Sequence, residues 1–320
     1  MNRRWMLFAA AAAAAVAVPF GALAQDKTPL KIVVGFPPGG SADTLARLLA
    51  EGLRERYQPV VVENRPGAGG RIALNQVKRA EPDGQTVIVL PSGPMVLFPH
   101  VYKKLDYDAV TDFTPVSLLT HFQFGVVAGP SSKARNMGEM IAAAKAAPGK
   151  GSYGTPGQGT LPHFMGVLFE QQVDAKLNHV PFQGGGPANA ALVGGHIDYK
   201  FDVVSETAEL HRTGKVRILA VTGARRDPQV PEVPTLKEAG VDMVATAWFG
   251  MYGPAGMPTE ARDRLQQAVA EALKQPALRD RLQGLGYEPV GSTPAELAAA
   301  QKTDLERWAA PIKATGISLD

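Results

Sequence analysis

The chain contains no cysteine among its 320 residues, so it has neither a disulfide framework nor a cysteine that could carry a lipid anchor. The six histidines are scattered without the spacing of metal ligands. Charge is nearly balanced, with 33 Lys and Arg against 30 Asp and Glu, and this excludes the basic footprint of a nucleic-acid-binding protein. We therefore expect a monomer that needs no metal, no cofactor and no nucleic acid.

Catalytic motifs are also missing. The sequence has no G-x-S-x-G elbow and no H-E-x-x-H, and Ser92 in Pro91-Ser92-Gly93 lacks the flanking glycine pattern of a nucleophile. No G-x-x-x-x-G-K-[ST] occurs, so nucleotide binding is poorly supported. These absences favour a protein that is not an enzyme.

The amino terminus is the first positive signal. Residues 1–24 combine a basic start, an apolar run and a small-residue ending, which predicts a secretory signal peptide and a mature chain that begins at Gln25. A membrane anchor is the alternative, but the apolar run is short for a span. Arg3 and Arg4 fit either a twin-arginine or a Sec signal. Loss of these two arginines lowers the formal charge from +3 to about +1, and we expect a free periplasmic protein.

The rest of the chain exceeds the usual size of a single core, so two domains are expected. Valine- and isoleucine-rich runs alternate with helix-period segments, which is typical of α/β folds with a largely parallel sheet. The alternation occurs twice and predicts lobe 1 from 25–123 plus 226–320 and lobe 2 from 124–225. We interpret DFTPVSLLTHFQFGVVAGP as two extended segments that cross between the lobes. Such lobes form a hinge, and the cleft between them is the expected ligand site.

Three glycine-rich loops lie between a predicted strand and a predicted helix. The first loop, 36–43, is FPPGGSAD and leads into a helix at Ser41; the second loop, 153–163, is YGTPGQGTLPH, with Thr160 expected to cap its helix through the hydroxyl. The third loop is Gly184–Gly186. Glycines there let a ligand approach the free N–H groups of the helix, whose dipole favours an anion. Although ordinary turn chemistry explains any single loop, together they predict a clamp for a small acid.

The ordered stretches GFPPGGSAD, ENRPGAGG, PDGQTVIVLPSG, SYGTPGQGTLPH, HVPFQGGGPANAALVGGHIDYKFD, VPTLKEAG and WFGMYGPAGMP closely resemble the Bug receptors. These are the extracytoplasmic solute receptors of tripartite tricarboxylate transporters. The resemblance covers nearly all of the chain after the predicted signal peptide. It implies a two-lobed, Venus-flytrap periplasmic binding protein, each lobe a mostly parallel sheet flanked by helices. Such a receptor would hold a di- or tricarboxylate, an amino acid or an aromatic acid by main-chain amides and water, and deliver it to membrane permease subunits.

The resemblance also implies roles for individual residues. Residues of the first loop would contact one end of the ligand and residues of the second loop the other, while Asp43 and His163 would brace their loops. The residues expected to form the binding site are Phe36, Pro38, Gly39, Gly40, Ser41, Asp43, Ser92, Thr155, Gly157, Thr160, His163, Gly184, Pro187 and Asp202.

Lys200 departs from the family pattern, which often has an apolar pair before the aspartate at 202. Strand alternation with Tyr199 and Phe201 facing inward predicts that Lys200 points to solvent. The alternative is that it points into the cleft, where it would favour a second ligand carboxylate.

Three functions follow from these expectations. The leading one is a transport receptor whose lobes close on the ligand before a permease recognises the closed form. A sensor that docks onto a membrane signalling receptor would use the same binding chemistry, and the sequence does not separate the two. A periplasmic enzyme acting on a carboxylated substrate would need a nucleophile or an acid–base pair, which the sequence does not offer.

Overall fold

The computed structural model describes residues 28–319, so the predicted signal peptide lies outside the described residues. The strands are β1 (Thr28–Val34), β2 (Tyr57–Asn64), β3 (Thr86–Pro91), β4 (Phe113–Ala128), β5 (Ser152–Thr155), β6 (Asn178–Pro181), β7 (Tyr199–Val203), β8 (Arg217–Val221), β9 (Thr246–Pro254) and β10 (Glu288–Pro289). The helices are α1 (Ser41–Leu53), α2 (Arg71–Lys78), α3 (Gly93–Val96), α4 (Phe98–Val101), α5 (Met137–Ala146), α6 (Leu161–Val173), α7 (Gly185–Val193), α8 (Ala208–Arg212), α9 (Thr259–Lys274), α10 (Pro276–Gly284) and α11 (Pro294–Thr315). Two short 3-10 turns cover Ala68–Gly70 and Val204–Glu206.

The strands are hydrogen-bonded into one curled sheet in the order β2-β1-β3-β9-β4-β7-β5-β6, and β8 and β10 also pair with β4. β1 pairs in parallel with β2 and β3, and β5 pairs in parallel with β6 and β7. Every pair that includes β4 or β9 is antiparallel. The fold is therefore a two-lobed α/β structure, in which two parallel units are joined through antiparallel strands.

β4 is the longest strand and connects the two units. It pairs with β9 as far as Gln123 and with β7 and β8 from Phe124 onward, with register shifts near Pro115 and Leu118. The expectation of two extended segments was wrong, because β4 changes partners without breaking and so keeps its backbone groups paired along its whole length. The change of partner at Phe124 is compatible with a boundary after residue 123, but the lobe boundaries themselves stay a prediction.

The core forms on the faces of the parallel strands. Ile32, Val33 and Val34 are successive residues of β1 and all are buried, as expected for a parallel strand covered on both faces. In α1 the apolar stripe that includes Leu45 and Leu49 is buried, which confirms the predicted amphipathic helix. The rigid sheet thus holds the loops at the carboxyl ends of the parallel strands, where α/β proteins bind ligands.

A second hydrophobic cluster belongs to the later unit. It centres on Leu192 of α7, Ile197 before β7 and Ile218 of β8. Within residues 28–319, no helix combines the length and apolar character needed to cross a membrane.

Candidate ligand-binding site

The first loop turns sharply before α1. Gly39 has a φ of +82°, a conformation that favours glycine, whereas Gly40 is extended with a φ of −77°. Gly40 is the N-cap residue of α1 and has no side chain with which to cap the helix. The first N–H groups of α1, from Ser41 onward, therefore have no partner within the helix. The positive φ that the loop needs is therefore at Gly39 and not at Gly40.

Asp43 braces the first loop from inside α1. Its carboxylate accepts the N–H of Gly39 at 2.8 Å, Arg47 Nε at 2.9 Å and Asn64 Nδ2 at 2.9 Å. Burial alone would raise the pKa of Asp43, but the hydrogen bonds from Arg47, Gly39 and Asn64 and the charge of Arg47 outweigh burial and lower the pKa. This agrees with the bracing role expected for Asp43.

The second loop is held by hydrogen bonds within itself. Thr160 is the N-cap residue of α6, but its hydroxyl donates to the carbonyl of Gly157 at 2.7 Å and does not cap the helix. The expected hydroxyl cap was therefore wrong, because the hydroxyl is oriented towards the Gly157 carbonyl and accepts no N–H from the first turn of α6. His163 does contact the loop, since its Nδ1 accepts the N–H of Gly159 at 3.1 Å.

Two histidines stack beneath the second loop. The rings of His163 and His179 lie 4.0 Å apart and nearly parallel, and His179 Nε2 lies 2.7 Å from the hydroxyl of Thr155. Burial lowers the pKa of His163 to about 4, and burial together with the neighbouring His163 lowers the pKa of His179 to about 3. The second loop thus rests on a neutral imidazole pair at neutral pH.

The third loop meets the first loop across the cleft. Gly184 has a φ of +120°, and a β-carbon there would lie 2.7 Å from Pro37 Cδ. This close approach excludes any side chain at position 184. The structure therefore has the two parallel units in contact around an enclosed space.

That space is a cavity between the loops. It is lined by residues of all three loops and of strands β3, β4, β7 and β9. The residues expected to form the site that line it are Phe36, Pro38, Gly40, Ser41, Ser92, Thr160 and Asp202. The expected residues that do not line it are Gly39, Asp43, Thr155, Gly157, His163, Gly184 and Pro187. Among the latter, Gly39, Asp43, Thr155, Gly157 and His163 take part in the hydrogen bonds that shape the first two loops.

Three helices begin at the cavity wall. They are α1, α6 and α7, which start at Ser41, Leu161 and Gly185. Within the described part of the chain, the N–H groups of Leu161 and Ala42 have no hydrogen-bond acceptor. The positive ends of three helix dipoles therefore face one small space, which suits an anion.

Lys200 does not point to solvent. Its side chain is fully buried, and its ammonium donates to Asn189 Oδ1 at 2.6 Å and to the Gly185 carbonyl at 3.2 Å. It also lies 2.8 Å from Asp202 Oδ2 and does not line the cavity. The expectation failed because β7 lies between β4 and β5 and contacts both α6 and α7, so strand alternation no longer separates a core face from a solvent face.

Sequence reasoning missed Glu206, which lines the cavity and accepts the N–H of Ser41 at 2.9 Å. Burial raises the pKa of Glu206 and the negative charge of Asp202 raises it further, while Lys200 and the hydrogen bonds with Ser41 oppose this rise. The available signal was its position just beyond the carboxyl end of β7, where ligands are contacted in α/β folds.

Sequence reasoning also missed three aromatic residues of the wall, Phe122 and Phe124 on β4 and Phe249 on β9. Their sequence pattern is that of ordinary core residues in buried strands. The rings of Phe122 and Phe249 stack at 4.4 Å, so the wall opposite the amides is apolar.

Comparison with known proteins places this geometry in a family. The family profile described as "Tripartite tricarboxylate transporter family receptor" matches residues 45–317. The chain belongs to this receptor family. A curated relative is the protein BugT of Bordetella pertussis, which is 32% identical over 311 residues that cover 96% of this chain and 95% of BugT. The predicted resemblance to the Bug receptors is confirmed.

Solved structures share the fold, among them that of the periplasmic binding protein BugD, which has a TM-score of 0.86 at 31% identity over 91% of this chain and 99% of the BugD chain. MatC from Rhodopseudomonas palustris, solved with bound malate, has a TM-score of 0.84 at 33% identity. The superposition covers 89% of this chain and 99% of the MatC chain. A second R. palustris protein, solved with adipate, has a TM-score of 0.88 at 32% identity and covers 92% of this chain and 99% of its own. The chain is thus a periplasmic solute-binding protein of the tripartite tricarboxylate transporter receptor family.

Proposed function

We propose that this receptor binds a small carboxylate in the cavity between its two parallel units. The carboxylate would be held mainly by main-chain N–H groups of the glycine-rich loops. The bound acid would then be delivered to the membrane permease subunits of a tripartite tricarboxylate transporter.

The observation that carries the proposal is the convergence of α1, α6 and α7 on one cavity. Among the residues that line this cavity, none is a lysine, an arginine or a histidine. An anion bound there would therefore depend on helix dipoles and free N–H groups, for which the cavity offers donors at Ala42 and Leu161.

The apolar wall limits the middle of the ligand. Phe122, Phe124 and Phe249 line the cavity, and several prolines complete the wall. Such a lining favours a short carbon chain and few polar groups between its ends. The relatives solved with malate and adipate hold acids of this general kind.

A proline scan of the helix starts tests the amide contacts directly. Leu161→Pro removes the N–H at the first residue of α6, where proline is tolerated by the helix. We expect it to weaken binding of an acid by roughly tenfold, since a hydrogen bond to a charged group is lost. Thr259→Pro is the matched control, because Thr259 is the first residue of α9 and lies away from the cavity.

Calorimetry on wild type and both variants gives the answer, with thermal unfolding to verify that each variant folds. Unchanged affinity in Leu161→Pro would refute binding through the amide of α6. Delivery is tested separately by recovering membrane partners with and without bound acid. Recovery of a permease only with the acid supports transport, whereas recovery of a signalling receptor supports the sensor alternative.

A further inference from the structure

One acidic side chain reaches the cavity from the end of β7. Glu206 is half-buried, ends the 3-10 turn Val204–Glu206 and lines the cavity. Its Oε1 accepts the N–H of Ser41 at 2.9 Å, at the first residue of α1. A carboxylate of the protein therefore already lies where α1 would otherwise bind an anionic end of the ligand.

A second carboxylate lies beside it and is paired with Lys200. Asp202 is 1% exposed and lines the cavity, and its Oδ1 accepts the N–H of Val203 at 2.8 Å. Its Oδ2 forms an ion pair with Lys200 Nζ at 2.8 Å, and no described residue donates a hydrogen bond of good geometry to it. Because each carboxylate oxygen can accept two hydrogen bonds, Oδ2 can take a further donor from the ligand.

The two carboxylates converge on the main chain of Gly185, the first residue of α7. A β-carbon at this position would stand 1.6 Å from Glu206 Oε2 and 2.8 Å from Asp202 Oδ2. Both oxygens therefore crowd the same point, and they can do so only because residue 185 has no side chain. Two acidic groups meet at this end of the cavity.

Lys200 provides only one positive charge against these two carboxylates. Its ammonium lies against Asp202 and donates to Asn189 and to the Gly185 carbonyl, away from the cavity wall. Tyr287, whose hydroxyl lies 3.0 Å from Ser205, is a neutral neighbour. The Glu206 end of the cavity is therefore an acceptor site with an unbalanced acidic group.

We propose that Glu206 and Asp202 form a subsite for a nitrogen-bearing group, either an ammonium or an amide N–H. The inference rests on the proposed function and narrows its ligand to a monocarboxylate with a nitrogen donor at its other end. The nitrogen donates to Glu206 and to Asp202 Oδ2. The carboxylate lies at the start of α6, where the N–H of Leu161 has no acceptor among the described residues.

One end of the cavity, at Glu206 and Asp202, then holds the nitrogen of the ligand, and the other end, at the start of α6, holds its carboxylate. A dicarboxylate would place its second negative charge beside Glu206 and Asp202, which is unfavourable because like charges repel in a site shielded from water. An amino or amide group avoids that repulsion and supplies a further donor to Asp202.

Matched pairs of acids test this polarity by calorimetry on the full chain after signal removal. The pairs are succinate with β-alanine, glutarate with γ-aminobutyrate, and adipate with δ-aminovalerate, and within each pair only one end differs. We expect the amino acid of the best-fitting pair to bind about tenfold or more tightly than its diacid partner, in line with a charge-assisted hydrogen bond.

Glu206→Gln removes the charge and keeps the side-chain size, so the preference should fall by about tenfold. Glu206→Ser is a second variant in case the glutamine disturbs the loop. Glu209→Gln is the control, since Glu209 lies three residues after Glu206, in α8, and is exposed and outside the cavity. It should leave the preference unchanged.

The outcomes separate this inference from the proposed function. A wild-type preference for the diacids overturns the inference and leaves carboxylate binding intact. If the protein binds none of the six acids, both the proposed function and the inference are overturned. An equal loss of affinity for both members of a pair in Glu206→Gln assigns Glu206 to holding α1 in place and overturns the inference as well.

Discussion

The first and second glycine-rich loops share one local design, a strand followed by glycines and a helix start, but they are held by different chemistry. The first loop depends on ionised groups, because Asp43 accepts the Gly39 N–H and pairs with Arg47. The second loop depends on neutral imidazole, because His163 accepts the Gly159 N–H and stacks on His179. Loops that look equivalent in sequence therefore respond to pH and mutation in different ways.

The two helix starts differ as well. The Ser41 N–H at the start of α1 is taken by Glu206, whereas the Leu161 N–H at the start of α6 has no acceptor within the described residues. The glycine pattern creates a free helix end in both places. The group that lies opposite decides whether that end is available to an anion.

The largest expected effect comes from filling the cavity at the first loop. Gly40 lines the cavity and Gly157 does not, so Gly40→Val should weaken ligand binding far more than Gly157→Val. Overpacking of about 1–3 kcal/mol corresponds to a roughly ten- to hundredfold loss of affinity. A β-carbon on Gly157 would instead press on Thr160 Cγ2 at 3.1 Å and should mainly lower the stability of the second loop.

Calorimetry with an acid identified in the panel above, together with urea unfolding of both variants, measures the two effects. The comparison breaks down if Gly157→Val abolishes binding while Gly40→Val does not.

An effect on stability rather than on ligand affinity is expected on acidification from about pH 7.5 to about pH 5. The folded chain keeps His163 and His179 neutral, with pKa values of about 4 and about 3, whereas the unfolded chain takes up protons near the usual 6.5. The free energy of unfolding should therefore fall as the pH drops below 6.5 towards about 4, by roughly 2 kcal/mol per histidine at pH 5. The pKa of Asp43 is lowered from 3.8, so the contribution of Asp43 to the free energy of unfolding is present above pH 3.8 and is lost only below it. The hydrogen bonds of Asp43 to the first loop are therefore unchanged between about pH 7.5 and about pH 5.

Urea unfolding at both pH values checks this difference. The double variant His163→Phe with His179→Phe should lose most of the pH dependence, while His100→Gln, at an exposed histidine, should keep it. A pH dependence that survives in the double variant would contradict the neutral imidazole pair.

The smallest effect is expected for Thr160→Val. The hydroxyl donates to the Gly157 carbonyl and does not cap α6, so its loss should cost about 1 kcal/mol of stability and change affinity by no more than about twofold. Thermal unfolding and calorimetry measure both quantities. A larger loss of affinity than of stability would mean that the Thr160 hydroxyl contacts the ligand directly.

Much of the fold follows from local patterns. The buried runs of β1 and β3 and the leucine stripe of α1 carry enough periodicity to be placed from sequence, and so do the boundaries of α6 and α9, to within a few residues. The continuous β4 could not be predicted, because Pro115 and the register shifts resemble a break. Only the partners on either side keep that strand extended.

The residues that line the cavity were predicted in part for the same reason. Gly40 and Ser41 could be placed at the cavity because a glycine turn before a helix exposes N–H groups wherever it occurs. Phe249 could not, because a wall residue in a buried strand has the same pattern as a core residue.

By itself, the sequence determined the two α/β units, the glycine-rich helix starts and the absence of cationic side chains from the loop tips, because these depend on local periodicity, backbone freedom and residue type. The family fold came from the resemblance of the ordered motifs to the Bug receptors. Only the tertiary structure decided the charge of the site. It buried Lys200 against Asp202 and brought Glu206 to the start of α1. Lys200, Asp202 and Glu206 are close to one another in sequence. Their electrostatic role depends on the main chain of Ser41, which is 165 positions from Glu206, and on their burial between the two units.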